Sequence, residues 1–299
     1  MWFRRGGPCS DEMQRRMVGI RSGSKGCRNY RGRASTVQRG LLKLALLAAG
    51  FATRMYPLTR NRPKPLLEIQ GQTLLTRLLF QALETGVIEE AAVVVNARFQ
   101  AEFEAWAFSQ EFPVEVVVNE AQEAKDAPGA LADLRLLLDQ GFRSSTPSPW
   151  MVLAGDNFMD FTLSEVVRRQ AENLKQPLFM VRKIEGSIPP NRYSEVSLDS
   201  KGYIKQIREK PDNPSSPYSV IGAYLLPPDL PELLSQYLDQ GGSADSPGHL
   251  MVWLARERNC RAWHIPAGLW WDIGNLESYQ QARQVRLNNR SAKIPGNYS

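Results

Sequence analysis

The sequence predicts an α/β protein: a three-layer α/β/α arrangement with a mixed, mostly parallel central sheet and a small antiparallel insertion. Two observations carry that expectation. From residue 43 to residue 181, short β-branched runs alternate with segments of helical apolar spacing, the pattern of a parallel sheet covered by helices on both faces. Past residue 185 the strands shorten and turn residues separate them, the texture of antiparallel pairing.

Each element follows from local pattern. Residues 44–48 form a short apolar run that enters a Gly-containing loop and read as a buried strand. Residues 74–85 repeat Leu at helical spacing and stop at Gly86. Residues 91–95 are a β-branched run, 99–108 are helical, 114–118 a second β-branched run, and 131–138 helical. Residues 150–153 read as a strand that ends in Ala154, Gly155 and Asp156; 163–170 are helical, and 177–181 open another strand. Short strands follow over 195–198, 203–207 and 219–225, the first two joined by a hairpin turn at 199–202. Helices around 230–238 and 248–256, a strand over 260–265 and a last helix over 275–286 complete the pattern.

Composition bounds the function classes. The 299 residues are 42% hydrophobic and 23% charged, which fits a soluble globular chain and suffices for one large or two small domains. No apolar run is long enough to span a bilayer, so no membrane role is expected. Cys9, Cys27 and Cys260 are scattered, with neither a CxxC pair nor a Cys/His cluster, which argues for a reducing cytoplasm and against a disulfide framework or structural zinc. The formal charge is +6, yet residues 1–43 hold eleven Lys/Arg against two Asp/Glu, so the remainder is net negative. That basic stretch lacks the aromatic interleaving of a base-stacking surface, and no nucleic-acid partner is expected.

Three parts are expected along the chain: a basic, disordered extension over 1–40, a catalytic domain over 41–287 and a polar tail over 288–299. The extension reads as dispensable, in preference to a targeting peptide; Met13 and Met17 are alternative starts within it. No series of hexapeptide repeats suggests an appended β-helix.

Chemistry concentrates in the first loop. Ala48, Ala49, Gly50 and Ala52 are small, so backbone can approach a ligand closely, and Arg54, Arg60, Arg62 and Lys64 follow within eleven residues. A triphosphate needs such fixed positive charge, although solvated cations in an ordinary strand–loop–helix connection would look alike. The loop is neither a Walker A motif nor a GxGxxG fingerprint. Two carboxylates, Asp156 and Asp272, stand at strand ends, where a parallel sheet binds ligands and where Mg²⁺ finds oxygen donors. For each taken singly, the N-cap of a following helix is the favoured reading. Gly129, after Pro128, is readable as a turn opening a helix, and Glu209-Lys210-Pro211 as an exposed turn.

Residues 47–67 closely resemble the signature of the sugar-phosphate nucleotidyltransferase family, in which a strand leads into L-A-A-G-x-G-T-R-x-x-P-x-T and then P-K-P-L. The family includes glucose-1-phosphate thymidylyltransferases, mannose-1-phosphate guanylyltransferases and ADP-glucose pyrophosphorylases. The resemblance implies a Rossmann-like nucleotide-binding core and Mg²⁺-dependent condensation of a nucleoside triphosphate with a sugar 1-phosphate, releasing pyrophosphate. It implies that Ala49, Gly50 and Thr53 line the nucleotide pocket, that Arg54 holds the β- and γ-phosphates, and that Lys64 bridges the reacting phosphates. Trp270, Asp272, Gly274 and Tyr279 match the family's W-x-D-x-G-x-x-x-x-Y run, and Asp156 its G-D, which implies that both aspartates bind the metal. Lys210 would hold the sugar phosphate and Glu209 the sugar hydroxyls; Tyr193 and Gly222 would belong to the sugar side, and Gly129 to the loop that reads the base.

The chain departs from the family pattern in places. Ala52 replaces a common Gly, a mild change where φ is negative, and Glu68 replaces a common Pro. Ser194 stands where Gly follows the tyrosine, and the residues flanking Gly129 differ. Two rival readings are a phosphocholine cytidylyltransferase, for which Trp253, Trp263, Trp270 and Trp271 could supply an aromatic cage, and a non-catalytic nucleotide-sugar sensor. Assembly into a homo-oligomer is compatible with any of these.

Overall fold

The computed structural model describes residues 41–266 and 269–285. The expected extension over 1–40 and the tail over 288–299 lie outside the described residues. In chain order the strands are β1 (Leu42–Leu47), β2 (Glu68–Ile69), β3 (Gln72–Thr73), β4 (Ile88–Asn96), β5 (Val114–Asn119), β6 (Trp150–Ala154), β7 (Asn157–Met159), β8 (Leu178–Lys183), β9 (Glu195–Leu198), β10 (Ile204–Arg208), β11 (Tyr218–Leu226), β12 (Arg261–His264) and β13 (Trp270–Asp272). The helices are α1 (Leu74–Leu83), α2 (Gln100–Phe108), α3 (Ala130–Gln140), α4 (Ser164–Gln170), α5 (Leu230–Asp239), α6 (Pro247–Glu257) and α7 (Leu276–Gln284).

Strand β1 sits in the middle because both of its faces are apolar. Leu42, Leu44 and Leu46 point into one core cluster and Ala45 into the other, the two-residue alternation of a strand covered on both sides. It pairs in parallel with β4 and with β6, and β4 pairs in parallel with β5. Helices α1, α2 and α4 cover one face through residues such as Leu78, Phe103 and Val166; α3, α5 and α6 cover the other through Leu134, Leu234 and Leu254. Each fully buried Leu or Val contributes about 2 kcal/mol of transfer free energy, so these two clusters hold the layers together.

The second half turns antiparallel, as expected. Strand β11 runs antiparallel to β6 on one edge and to β8 on the other, and β12 extends that side by pairing in parallel with β8. The β9–β10 hairpin joins at Tyr218↔Val196. Its turn closes through Asp199, whose Oδ1 accepts from the Lys201 and Tyr203 N–H groups at 2.8 and 2.9 Å. Among the described residues no helix is long and apolar enough to cross a membrane.

Helix ends follow local chemistry. The Thr73 hydroxyl accepts from the Thr76 N–H at 3.1 Å and starts α1, a cap worth about 1 kcal/mol. The chain leaves that helix through Gly86 at φ +70°, a conformation that costs glycine nothing. The strands β2, β3, β7 and β13, only two or three residues long, show no periodicity of their own. One of them, β13, builds the site.

Candidate active site

Asp156 occupies the turn between β6 and β7, beyond the carboxyl end of a strand parallel to β1. No helix follows it directly, so it is not an N-cap. Gly155 permits the tight exit: its N–H donates to the Leu47 carbonyl at 2.8 Å, and a side chain there would meet that carbonyl at 3.0 Å and the Pro65 ring at 3.1 Å. The end of β1 and the Lys64–Leu66 turn are thereby locked against Asp156.

Strand β13 brings in the second carboxylate. It pairs antiparallel with β7 in the register Trp270↔Met159, Trp271↔Phe158, Asp272↔Asn157, and the Ile273 N–H donates to the Asp156 carbonyl at 3.1 Å. Two aspartates 116 positions apart in sequence become neighbours in space. Asp272 does not cap α7 either. Asn275 does, in a capping box with Ser278. Tyr279 fastens that helix to β2 by donating to the Glu68 carbonyl at 2.8 Å.

Electrostatics distinguishes the two acids. Burial raises the carboxyl of Asp156, but the charge and hydrogen bond of Lys64, the residue's own backbone N–H and Arg54 outweigh it, so Asp156 titrates below the usual carboxylate range. Lys64 Nζ donates to Asp156 Oδ2 at 2.9 Å. Asp272 is pushed upward, first by burial and then by the negative charge of Asp156, against the opposing pull of Lys64, Arg182 and Arg54. A close pair of carboxylates, one lacking a bonded cation, is a hard-oxygen donor set that a divalent ion satisfies. Its chemistry therefore fits Mg²⁺.

The first loop lies beside this pair. Ala49 is buried, Gly50, Thr53 and Arg54 are exposed, and Thr53–Met55 form a single 3₁₀ turn. Ala52 overturns one expectation: its φ is +49°, in the left-handed region, so Ala for Gly is a strained choice and not a mild one. The strain is held by Thr59, whose hydroxyl donates to the Ala52 carbonyl at 2.8 Å, and by the Met55 N–H, which donates to the same oxygen at 2.9 Å.

On the acceptor side, Glu209 is anchored more firmly than an exposed turn would be. Its side chain is 11% exposed. Ser194 Oγ donates to it at 2.6 Å and Ser246 Oγ approaches it at 3.4 Å. Ser194, the departure from Gly, thus ties the 193–194 segment to Glu209. Lys210 is half-exposed at φ +42°, with Nζ 3.6 Å from Glu209. Tyr224, buried on β11, has its phenol pushed upward by burial and by the charges of both Glu209 and Asp156, so it lies within electrostatic reach of each half of the site. Gly222 packs so close to Asn157 that a side chain there would meet Asn157 Nδ2 at 2.8 Å.

Gly129 is held by backbone packing. It opens α3 at φ +100°, and a side chain there would strike the Ala244 carbonyl at 2.5 Å. The first N–H groups of α3 donate to the carbonyls of Asp245 and Ala244. Glycine is therefore required by the turn and by close backbone packing.

Two residues of the site escaped the sequence reading. Asn157 is 3% exposed and links three strands: Trp270 Nε1 donates to its Oδ1 at 2.6 Å, while its Nδ2 donates to the carbonyls of Ala154 at 2.9 Å and Gly222 at 3.3 Å. Its place beside Asp156 was the one available signal. Arg182, near the end of β8, lies with its guanidinium 4.4 Å from the Tyr193 ring centroid and 4.4 Å from that of Trp270. Nothing in its local sequence marks it. Cavities of about 330 and 510 Å³ run along β9 and β10, but their walls include neither aspartate, Lys64 nor Arg54.

A nucleotide-handling α/β transferase is the class to which this fold and these residues point. The family model for nucleotidyl transferases matches residues 43–289, and the chain belongs to that family. It is 29% identical over 188 residues to a UTP–glucose-1-phosphate uridylyltransferase of Haloferax volcanii, covering 62% of this chain and 72% of that one. It is 27% identical over 259 residues to the mannose-1-phosphate guanylyltransferase catalytic subunit beta of Drosophila pseudoobscura pseudoobscura, covering 87% of this chain and 66%, just under two thirds, of the relative. The fold also matches a UDP-glucose pyrophosphorylase structure with a TM-score of 0.67 at 19% identity, covering 81% of this chain and 97% of that one. A CTP:phosphocholine cytidylyltransferase from Streptococcus pneumoniae superposes with a TM-score of 0.64 at 15% identity, covering 82% and 98%.

Proposed function

We propose that the protein condenses a nucleoside triphosphate with a sugar 1-phosphate, giving a nucleotide sugar and pyrophosphate, in a Mg²⁺-dependent reaction. One observation carries this reading: the β7–β13 pairing sets Asp156 beside Asp272, with Lys64 bonded to the first and Arg54 acting on both. Asp156 and Asp272 would hold Mg²⁺, which supplies charge neutralisation at the α-phosphate.

The residues divide the remaining work. Ala49, Gly50 and Thr53 line the path of the nucleotide, where small side chains admit it, and Gly129 supports the neighbouring loop. Arg54, exposed and unencumbered by any hydrogen bond among the described residues, grips the departing β- and γ-phosphates. Lys64 shifts between Asp156 and the phosphate oxygens where the two anions meet. Lys210 presents the phosphate of the acceptor, and Glu209, with Tyr193 and Gly222 nearby, faces the sugar. The acceptor oxygen is already ionised, so no protein base is needed for an in-line attack. Positioning and charge neutralisation supply the rate.

The phosphocholine alternative needs an aromatic cage open to a quaternary ammonium. The faces of Tyr193 and Trp270 are instead taken by the protein's own Arg182, which favours the sugar acceptor. Retention of both aspartates favours an enzyme over a sensor. The reading also expects a cytoplasmic protein.

The test is pyrophosphate release with Mg²⁺ across the common nucleoside triphosphates, a panel of sugar 1-phosphates and phosphocholine, with Asp156→Ala alongside. Turnover of a sugar 1-phosphate that disappears in the variant is the expected result. Tight binding of nucleotide sugars without turnover of any pair would overturn the proposal in favour of a sensor.

A further inference from the structure

Arg182 is a cation near the aspartates that lies against two aromatic rings. Trp270 lies at one side of its guanidinium and Tyr193 at another, each centroid 4.4 Å away. Trp270 is itself pinned through Nε1 to Asn157, and a second cation, Arg192, stands 5.0 Å from the Tyr193 ring. Among the described residues Arg182 has no hydrogen-bond acceptor and no salt bridge, and its Nε is buried without a partner. A guanidinium carries five N–H donors in a rigid plane. Nε is enclosed and no acceptor among the described residues takes the Nη groups, so those N–H donors are what remain for an anionic ligand.

The phosphates of both substrates already have Arg54, Lys64 and Lys210 in the proposed reaction. Arg182 is a further positive charge, which also acts on Asp272, and it stands with Arg192 against Tyr193 on the proposed acceptor side. We propose that Arg182 selects the acceptor by binding a carboxylate on its sugar, so that the acceptor class is a uronic acid 1-phosphate. This inference rests on the sugar-1-phosphate reading above. It assigns Arg182 a specificity role: the guanidinium binds a group other than the reacting phosphate and discriminates against acceptors that lack it.

The experiment compares glucuronic and galacturonic acid 1-phosphates with glucose and galactose 1-phosphates, which differ from them in the carboxylate alone. Wild type, Arg182→Gln and Arg182→Lys are each measured for kcat/KM and, by calorimetry without turnover, for acceptor affinity. The expected result is a wild-type preference for one uronic acid over its neutral counterpart of about tenfold or more, the size of a hydrogen bond to a charged group. That ratio collapses toward one in Arg182→Gln and is partly restored in Arg182→Lys, which keeps the charge but loses the fork. A wild type without preference, or a ratio unchanged in Arg182→Gln, overturns the inference. An equal fall for acidic and neutral acceptors also overturns it, because the guanidinium would then be acting on the shared phosphate. Should no pair turn over, the transfer reading fails, and the ratio of calorimetric affinities still decides the role of Arg182.

Discussion

Lys64 Nζ lies 2.9 Å from Asp156 Oδ2, with the lysine side chain 13% exposed and the aspartate 36% exposed. The contact joins the first loop to the β6–β7 turn and holds a cation at the carboxylate proposed to bind the metal. Removing that cation leaves Asp156 and Asp272 facing one another with less compensation. Lys64→Ala is expected to lower kcat/KM by about 10²–10³, the loss of one preorganised transition-state donor. Steady-state pyrophosphate release checks it.

Asp272→Asn should separate stability from activity. Burial and the charge of Asp156 both oppose ionisation of this acid. Neutralising it relieves a cost that the protein without metal carries near pH 7, so thermal unfolding in EDTA should move upward by about 1–3 °C. Catalysis should fall, and Mg²⁺ should raise the Tm of wild type more than that of the variant. Thermal scans with and without Mg²⁺ test both points, and a lower Tm in EDTA would contradict the argument.

Ala52→Gly should stabilise the protein. The residue sits at φ +49°, ψ +43°, where Cβ crowds the backbone, and removing it relieves about 1 kcal/mol. Chemical denaturation would show a higher midpoint at constant slope. A lower midpoint would mean that the lost entropy of the unfolded glycine outweighs the strain.

Glu195 makes acid sensitivity local. Its side chain is almost fully buried; burial raises the carboxyl, but the N–H groups of Ser215 and Ser216, together with Arg208 and the Ser215 hydroxyl, pull it below the usual range. An acid whose folded value is depressed stabilises above its unfolded value, about 4.3, and that contribution is lost as pH falls through the folded value. Glu195→Gln should cost about 2–3 kcal/mol at pH 7 and flatten the fall in stability between about pH 5 and 3. Urea unfolding across that range measures both.

Cys260 is buried, and burial pushes its thiol up to about 12. In a variant with Cys9 and Cys27 replaced by Ser, a thiol reagent at pH 8 should leave the native protein unmodified and react fully after unfolding. Rapid labelling of the native variant would place the thiol at the surface.

Much of the architecture was legible from local pattern. The β-branched run at 91–95 and the leucine spacing at 74–83 each state their own conformation, because the two-residue and 3.6-residue periods are properties of a single segment. The loop carrying Arg54 and Lys64 was legible for the same reason: its small residues and cations are contiguous. Capping was the exception. Asp272 was a candidate cap, and the structure gives the cap to Asn275 because the strand β13 ends at Asp272.

What the sequence by itself carried is the order of the longer strands and helices, the cationic loop and the two candidate acids, all encoded within short stretches of chain. Tertiary structure alone decided that Asp272 lies beside Asp156, through a three-residue strand too short to show a period. It also decided that Ala52 is left-handed and that Arg182 comes between Tyr193 and Trp270. The reason is physical: strand register and side-chain stacking are set by contacts between segments far apart in the chain, and no local propensity specifies which distant partner a residue will meet.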